Sequence, residues 1–348
     1  MRSNSRWLAA LFLFCWSAAG VQSSESPVLV YQKKYIMGTV FEIAAYDQSP
    51  QHASTAIDRA FQEIVQIDDE LSNYKSESAL SRLNRSAHFH AETVPSDLYR
   101  VLEAAVQFSK LSDGKFDVSI APLVNLWKAA LSGDAEPTPE QQQAVKRCVG
   151  YEKIQFIAPQ QISFRSPCMQ LDLGAIGKGY AVDRAAEVLR GAGIPNALIN
   201  AGGSTMLAMG APPGQSAWLV HLRDPSHKID PEVMLKDESV STSEQTMPSL
   251  LGKNSPGHII DPETGQPVQT EFAVSVIAKT GMLSDSLSTT LLLLGPEKGR
   301  VLIHGMAEVS AIWIAPDARL ETVVSGPQIL FGRRRDHSQL ANSPSADR

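Results

Sequence analysis

Cysteine is scarce in this 348-residue chain, and the three present (Cys15, Cys148 and Cys168) show no C-x-x-C or Cys/His spacing that would point to zinc. A basic excess is lacking too. Lys and Arg number 31 against 37 Asp and Glu, a formal net charge of −6, which argues against a general nucleic-acid binder. Any affinity for phosphate must therefore be local. No internal repeat is visible, and two familiar phosphate loops are missing. The spacing Gly174-x-x-Gly177-x-Gly179 is not G-x-G-x-x-G, and Lys178 is followed by Gly179 where a P-loop needs Ser or Thr. What is left is an ordinary globular composition, 43% hydrophobic and 20% charged, long enough for one large domain or two of ordinary size.

The longest N-terminal apolar run, Trp7 to Trp16, has ten residues, too few to span a bilayer as a helix. Arg2 and Arg6 precede it, and small residues follow, with Val21-Gln22-Ser23 or Ala18-Ala19-Gly20 as the cleavage tripeptide. Residues 1–23 therefore read as a cleaved secretory signal, and the protein is expected to be exported, periplasmic or membrane-associated. Bulky Phe14 stands before Cys15 where a lipobox wants a small residue, which argues against lipidation. Export leaves Cys148 and Cys168 either paired in an oxidising compartment or free and buried. At the other end, residues 333–348, with Arg333-Arg334-Arg335 and a Ser/Pro/Asp-rich stretch, read as a disordered solvated tail.

Between these ends, residues 28–332 alternate strand and helix signals. Val28 to Tyr35 and Thr39 to Tyr46 read as strands around Met37-Gly38, and Ser54 is expected to cap an amphipathic helix carrying Ile57, Phe61, Ile64 and Leu71. A helix from Ser96 to Leu111, a short helix after Thr138-Pro139, and a hairpin of Ile154–Ile157 with Ile162–Phe164 follow. A further helix begins at the glycine-rich turn and ends at Gly191, and two more run from Asp285 to Leu294 and from Glu297 to His304. The pattern predicts an α/β or α+β fold, a mixed sheet with packed helices.

Three clusters carry chemistry. In the first, Leu171-Asp172-Leu173-Gly174-Ala175-Ile176-Gly177-Lys178-Gly179 brings an acid and a lysine to a helix start, either a packing turn or an anion site. In the second, His258 precedes the turn Asp261-Pro262-Glu263-Thr264-Gly265; a histidine there takes a hydroxyl proton or simply bonds backbone. In the third, Asp285 and Thr289 stand four apart, so on a helix they share a face and reach one Mg²⁺, unless Ser284 and Asp285 only cap the helix.

With Met37-Gly38-Thr39, Leu71-Ser72-Asn73-Tyr74, the block Phe116 to Trp127, Asn200-Ala201-Gly202-Gly203 and Ser241-Thr242-Ser243, these clusters stand in one order from about Tyr31 to Ser325. In this the sequence resembles the ApbE family of FAD:protein FMN transferases. The resemblance implies an ApbE-like flavin transferase fold and a reaction in which a Thr or Ser hydroxyl of an acceptor flavoprotein takes FMN from FAD, releasing AMP. It implies that Met37 and Tyr74 line the flavin, and that Lys115, Phe116, Asp117, Asp172, Lys178 and the backbone at Ile259 contact FAD. It implies Mg²⁺ held by the Ala175 carbonyl, Asp285 and Thr289, and His258 as the base. The implied acceptors are exported or membrane-bound flavoproteins, among them inner-membrane redox complex subunits, modified at a motif ending Ala-Thr or Ala-Ser. No such motif occurs here, so the chain resembles the enzyme and not its acceptor.

The sequence departs from the family pattern at Glu244, where glycine is usual, and at Ser204, where an acid or amide is common. The stretch from Glu244 to His258 is also short, with Pro248 and Pro256 in it. Two other readings stay open: a Mg²⁺-dependent pyrophosphatase splitting FAD to FMN and AMP, and an exported flavin-binding protein without catalysis.

Overall fold

β1 (Val28–Ile36) and β2 (Thr39–Asp47) pair antiparallel, from Val28 opposite Asp47 to Ile36 opposite Thr39. Met37 and Gly38 between them sit at φ 52° and 73°, the two left-handed residues that a tight hairpin of this twist requires. The computed structural model describes residues 26–132, 136–245, 258–270, 272–324 and 329–332. The segments expected to be a leader (1–23) and a tail (333–348) lie outside these residues. Among the described residues no helix is long and apolar enough to cross a membrane.

Helix α1 (Pro50–Leu71) starts earlier than expected. Its cap is Ser49, whose hydroxyl accepts the His52 N–H at 3.3 Å, not Ser54. Pro50 fits the first helical position because the N–H it lacks has no helical partner there. The expected apolar face (Ile57, Phe61, Ile64, Leu71) is buried against β1 and β2. After α1 come α2 (Ala79–Ser86), β3 (Glu92–Thr93), α3 (Ser96–Leu111), α4 (Ala121–Ser132) and α5 (Pro139–Lys146), the last capped by Thr138. The foreseen hairpin, β4 (Ile154–Ile157) with β5 (Gln161–Phe164), joins β3 in a small sheet. Near it, Cys148 and Cys168 form a disulfide with Cα atoms 5.2 Å apart.

Helix α6 (Gly177–Gly191) ends at Gly191 as expected; Ala192 is its C-cap and the left-handed turn residue is Gly193 (φ 81°). The chain then supplies β6 (Asn196–Ala201), β7 (Thr205–Met209), β8 (Trp218–His221), β9 (Asp230–Leu235), β10 (Glu238–Glu244) and β11 (Ala273–Ala278). Helix α7 (Gly281–Ile303), β12 (Ser310–Ile314), β13 (Leu320–Val323) and β14 (Ile329–Gly332) complete it. Within α7 the two helices expected on either side of Pro296 are present, separated by the non-helical Gly295 at φ 72°.

The mixed α/β fold is the one observed, and its main sheet has eight strands in the order β1-β2-β6-β7-β10-β11-β12-β13, each pair antiparallel. Helices α1, α6 and α7 cover one face, and the small sheet β14-β9-β8 covers part of the other. β11 is buried at every residue. Val274, Val276 and Ala278 pack toward Leu287 and Leu291 of α7, while Ile277 joins Val233 and Leu235 on the opposite side. Leu287 and Leu291 are both 0% exposed, and each contributes roughly 2 kcal/mol by burial, so α7 is held firmly on the sheet.

Candidate functional site

The N-termini of α6 and α7 cross at two glycines. A Cβ on Gly179 would stand 2.6 Å from the Gly281 carbonyl carbon and 2.7 Å from the Asp285 Cβ, so only hydrogen fits there. Each helix then caps the other. Asp285 of α7 accepts the Gly179 N–H on Oδ2 at 2.9 Å, and Asp183 of α6 accepts the Gly281 and Met282 N–H groups at 2.6 and 2.8 Å. The anion received at the α6 start is therefore the chain's own Asp285. With the Gly177 N–H given to the Leu173 carbonyl at 2.8 Å, these donors are spent inside the protein and are not an open phosphate cradle.

The exchange has a consequence for Ala175. Helical register would give its carbonyl the Gly179 N–H, which Asp285 takes instead, so the carbonyl is left available. Asp285 is 5% exposed, and among the described residues no Lys, Arg or His lies within ion-pair distance of it. One turn on, the Thr289 hydroxyl is 3.0 Å from that of Ser243 on β10, and Ser288 hydrogen-bonds the same serine at 2.8 Å. Ala175, Asp285 and Thr289 line one cavity of about 410 Å³. A buried carboxylate without a cation, a free carbonyl and a hydroxyl are hard oxygen donors that fit Mg²⁺.

Asp183 titrates where it can be tested. Burial pushes its carboxyl up from 3.8 to about 6, against the Met282 and Gly281 hydrogen bonds, which pull it down. The folded value lies above the unfolded one, so the folded state holds the proton more tightly and loses stability as pH rises from about 4 to about 6. Asp183→Asn mimics the protonated form. Its melting temperature relative to wild type is expected to shift in the variant's favour across that window and then level off. A gap independent of pH contradicts this.

His258 lies on the same cavity. The surrounding walls, and then the Lys178 charge, hold its pKa below the ordinary 6.5, with Glu244 opposing; it is neutral and basic at pH 7. The next residue is clamped. Gln245 accepts the Ile259 N–H and donates to the Ile259 carbonyl, both at 3.1 Å, so this backbone is already fully used by the protein. Behind it, Asp261 accepts from Lys115 at 2.9 Å, and the Gly265 carbonyl accepts from Trp127 Nε1 at 2.8 Å.

The remaining sequence candidates fall into two groups. Tyr74, Lys115, Phe116, Asp117, Asp172 and Lys178 all line the cavity. Lys178 donates to the Gly174 carbonyl, and Asp172 accepts the Gly174 N–H at 2.8 Å. Lys115, by contrast, is ion-paired with Asp261 and Glu263, at 2.9 and 2.6 Å. Asp117 accepts from the Ser119 N–H and hydroxyl and from the Tyr151 N–H, and burial raises its pKa. These two hold loops in place as well as facing the cavity. Met37 is not among the lining residues; it packs partly buried against the core, its Cε 3.6 Å from where a Gly177 Cβ would lie. Sequence reasoning passed over Lys128, Arg223 and Gln245, whose only signal was polarity beside matched blocks.

Comparison with known proteins follows this geometry. The model of the ApbE family matches residues 37–313, from the first hairpin to β12. The chain belongs to the ApbE family. It is 29% identical over 337 residues to the FAD:protein FMN transferase of Treponema pallidum (strain Nichols), covering 90% of this chain and 92% of that one. It is 30% identical over 305 residues to the FAD:protein FMN transferase of Vibrio cholerae, covering 84% and 89%. Among solved structures, the flavin transferase ApbE from Vibrio cholerae superposes with a TM-score of 0.73 at 27% identity, over 86% of this chain and 97% of the other. The apo flavinyl transferase ApbE of Pseudomonas stutzeri gives 0.74 at 27% identity, over 86% and 94%.

Proposed function

We propose that this chain is a Mg²⁺-dependent FAD:protein FMN transferase, joining FMN through a phosphoester to a Thr or Ser hydroxyl of an exported or membrane-bound flavoprotein. The observation that carries the reading is the meeting of Asp285, Thr289 and the Ala175 carbonyl with His258 on one cavity. The names of the relatives, FAD:protein FMN transferase, support it.

In this reading the acceptor hydroxyl attacks the FMN-side phosphorus, its O–P bond forms as the P–O–P bridge breaks, and AMP departs with the bridging oxygen. His258, neutral at pH 7, takes the hydroxyl proton. Asp285, Thr289 and the Ala175 carbonyl hold Mg²⁺, which when bound neutralises the diphosphate and the charge that develops on it. Lys178, within the same cavity and donating to the Gly174 carbonyl, adds attraction for the phosphates. The leader at residues 1–23 supports export, and acceptors with a motif ending Ala-Thr or Ala-Ser follow from the family pattern.

His258→Ala is expected to keep FAD affinity within about twofold and to lose about 10²–10⁴-fold in transfer rate. The wild-type rate is expected to fall on acidification only below pH 6.5, because the histidine's pKa is depressed. Transfer by the variant at the wild-type rate over pH 6–9 would place the base elsewhere.

A further inference from the structure

Glu244 is an acid in a cavity proposed to receive a diphosphate. Its neighbour Ser243 hydrogen-bonds Thr289, a proposed metal ligand, at 3.0 Å. It lines the cavity, yet its carboxylate is matched. Arg223 Nη1 donates to Glu244 Oε1 at 2.5 Å, and Arg223 lines the same cavity.

Three other cations line the cavity with Arg223, and of these Lys178 donates to the Gly174 carbonyl. Lys115 is committed to Asp261 and Glu263, and Lys128 donates to the Tyr74 hydroxyl at 3.1 Å. The guanidinium has one strong partner in Glu244; its second contact, Nη2 to the Gly202 carbonyl, is long at 3.4 Å. It lies over the turn Gly202-Gly203, where a Cβ on Gly203 would be 3.9 Å from Nη2. The side chains are 44% and 33% exposed, so the pair is wet and exchangeable, not locked in a core. A guanidinium with unused N–H groups beside a diphosphate site is a fork suited to a phosphate's two oxygens.

We propose that Arg223 is a phosphate-binding residue for the flavin dinucleotide, and that Glu244 is an internal anion that the substrate's phosphate displaces from it. The pair thereby sets the affinity for FAD. Glu244 weakens binding twice over, by occupying the guanidinium and by repelling the incoming charge. This rests on the transferase reading above.

The test is equilibrium binding of FAD in Mg²⁺ to the mature wild-type protein, E244Q and R223Q, read by quenching of flavin fluorescence, with riboflavin as a phosphate-free probe. E244Q is expected to bind FAD about 3–10-fold tighter and R223Q about 10-fold weaker, with riboflavin affinity unchanged in both. FAD affinities that do not move, or that move together with riboflavin, overturn the proposal. A change in KM for the acceptor protein, with FAD affinity constant, also overturns it and assigns the pair to the acceptor. If wild type fails to bind FAD while folded, the transferase reading falls as well.

Discussion

Asp285→Ala is expected to lower Mg²⁺-dependent AMP release from FAD by at least about 10³-fold, the several kcal/mol that metal stabilisation of a transferring phosphoryl group supplies. Asp285 is the anionic member of the proposed ligand set, and its burial without a cation leaves a divalent ion as the natural countercharge. The alanine also strips the cap from the Gly179 N–H, a buried donor whose loss of partner costs about 1–3 kcal/mol. Asp285→Asn separates the two effects. Its amide oxygen still caps Gly179, so thermal stability should stay nearer wild type, while Mg²⁺ affinity in titration calorimetry should fall as steeply as in the alanine variant. Undiminished AMP release from either variant contradicts the metal assignment.

The largest stability effect is expected at the helix crossing. Gly179→Ala places a methyl group against the Gly281 carbonyl and the Asp285 Cβ, and backbone cannot step aside as a flexible side chain can. Overpacking of this kind costs about 3 kcal/mol or more, a fall in melting temperature of roughly 5 °C or more for a domain of this size. Because the same shift parts Asp285 from Gly179, Mg²⁺ affinity should drop with it. A melting temperature within a degree of wild type would show that the two helices are free to separate.

Much of this was legible before the fold was known, for physical reasons. The first hairpin, α1 and α3 came out as elements where they were read, and the apolar face read for α1 is its buried one. β10 did not. Its sequence, Glu-Ser-Val-Ser-Thr-Ser-Glu, has no apolar alternation because Ser239 and Ser241 face inward and satisfy each other's surroundings through Ser284 and Thr205. Hydroxyls that pair across a sheet–helix interface look like a loop to any hydrophobicity pattern. The starts of helices were the other weak point. Ser49 and Ser54 are both good caps, and Pro50 decided between them only once its fixed φ was seen to fit the first turn.

The site shows the same division. The local blocks named Asp285, Thr289 and His258, the resemblance added Ala175, and the fold brings all four to one cavity. The tertiary pairings were invisible, since Asp183 to Gly281 and Asp285 to Gly179 join segments about a hundred residues apart. The glycine-rich turn was read as a candidate anion site; the anion turned out to be supplied by the protein itself. The departure at Glu244 was likewise read without Arg223, which follows β8.

The most direct measurement mixes the mature protein with FAD, Mg²⁺ and an acceptor domain whose motif ends in Ala-Thr, then reads covalent flavin fluorescence on the acceptor in a denaturing gel. A fluorescent acceptor band that requires the protein, Mg²⁺ and the motif's threonine is the predicted result. AMP released from FAD at the same rate with and without acceptor, and with no flavin on the acceptor, would contradict it and make the enzyme a pyrophosphatase.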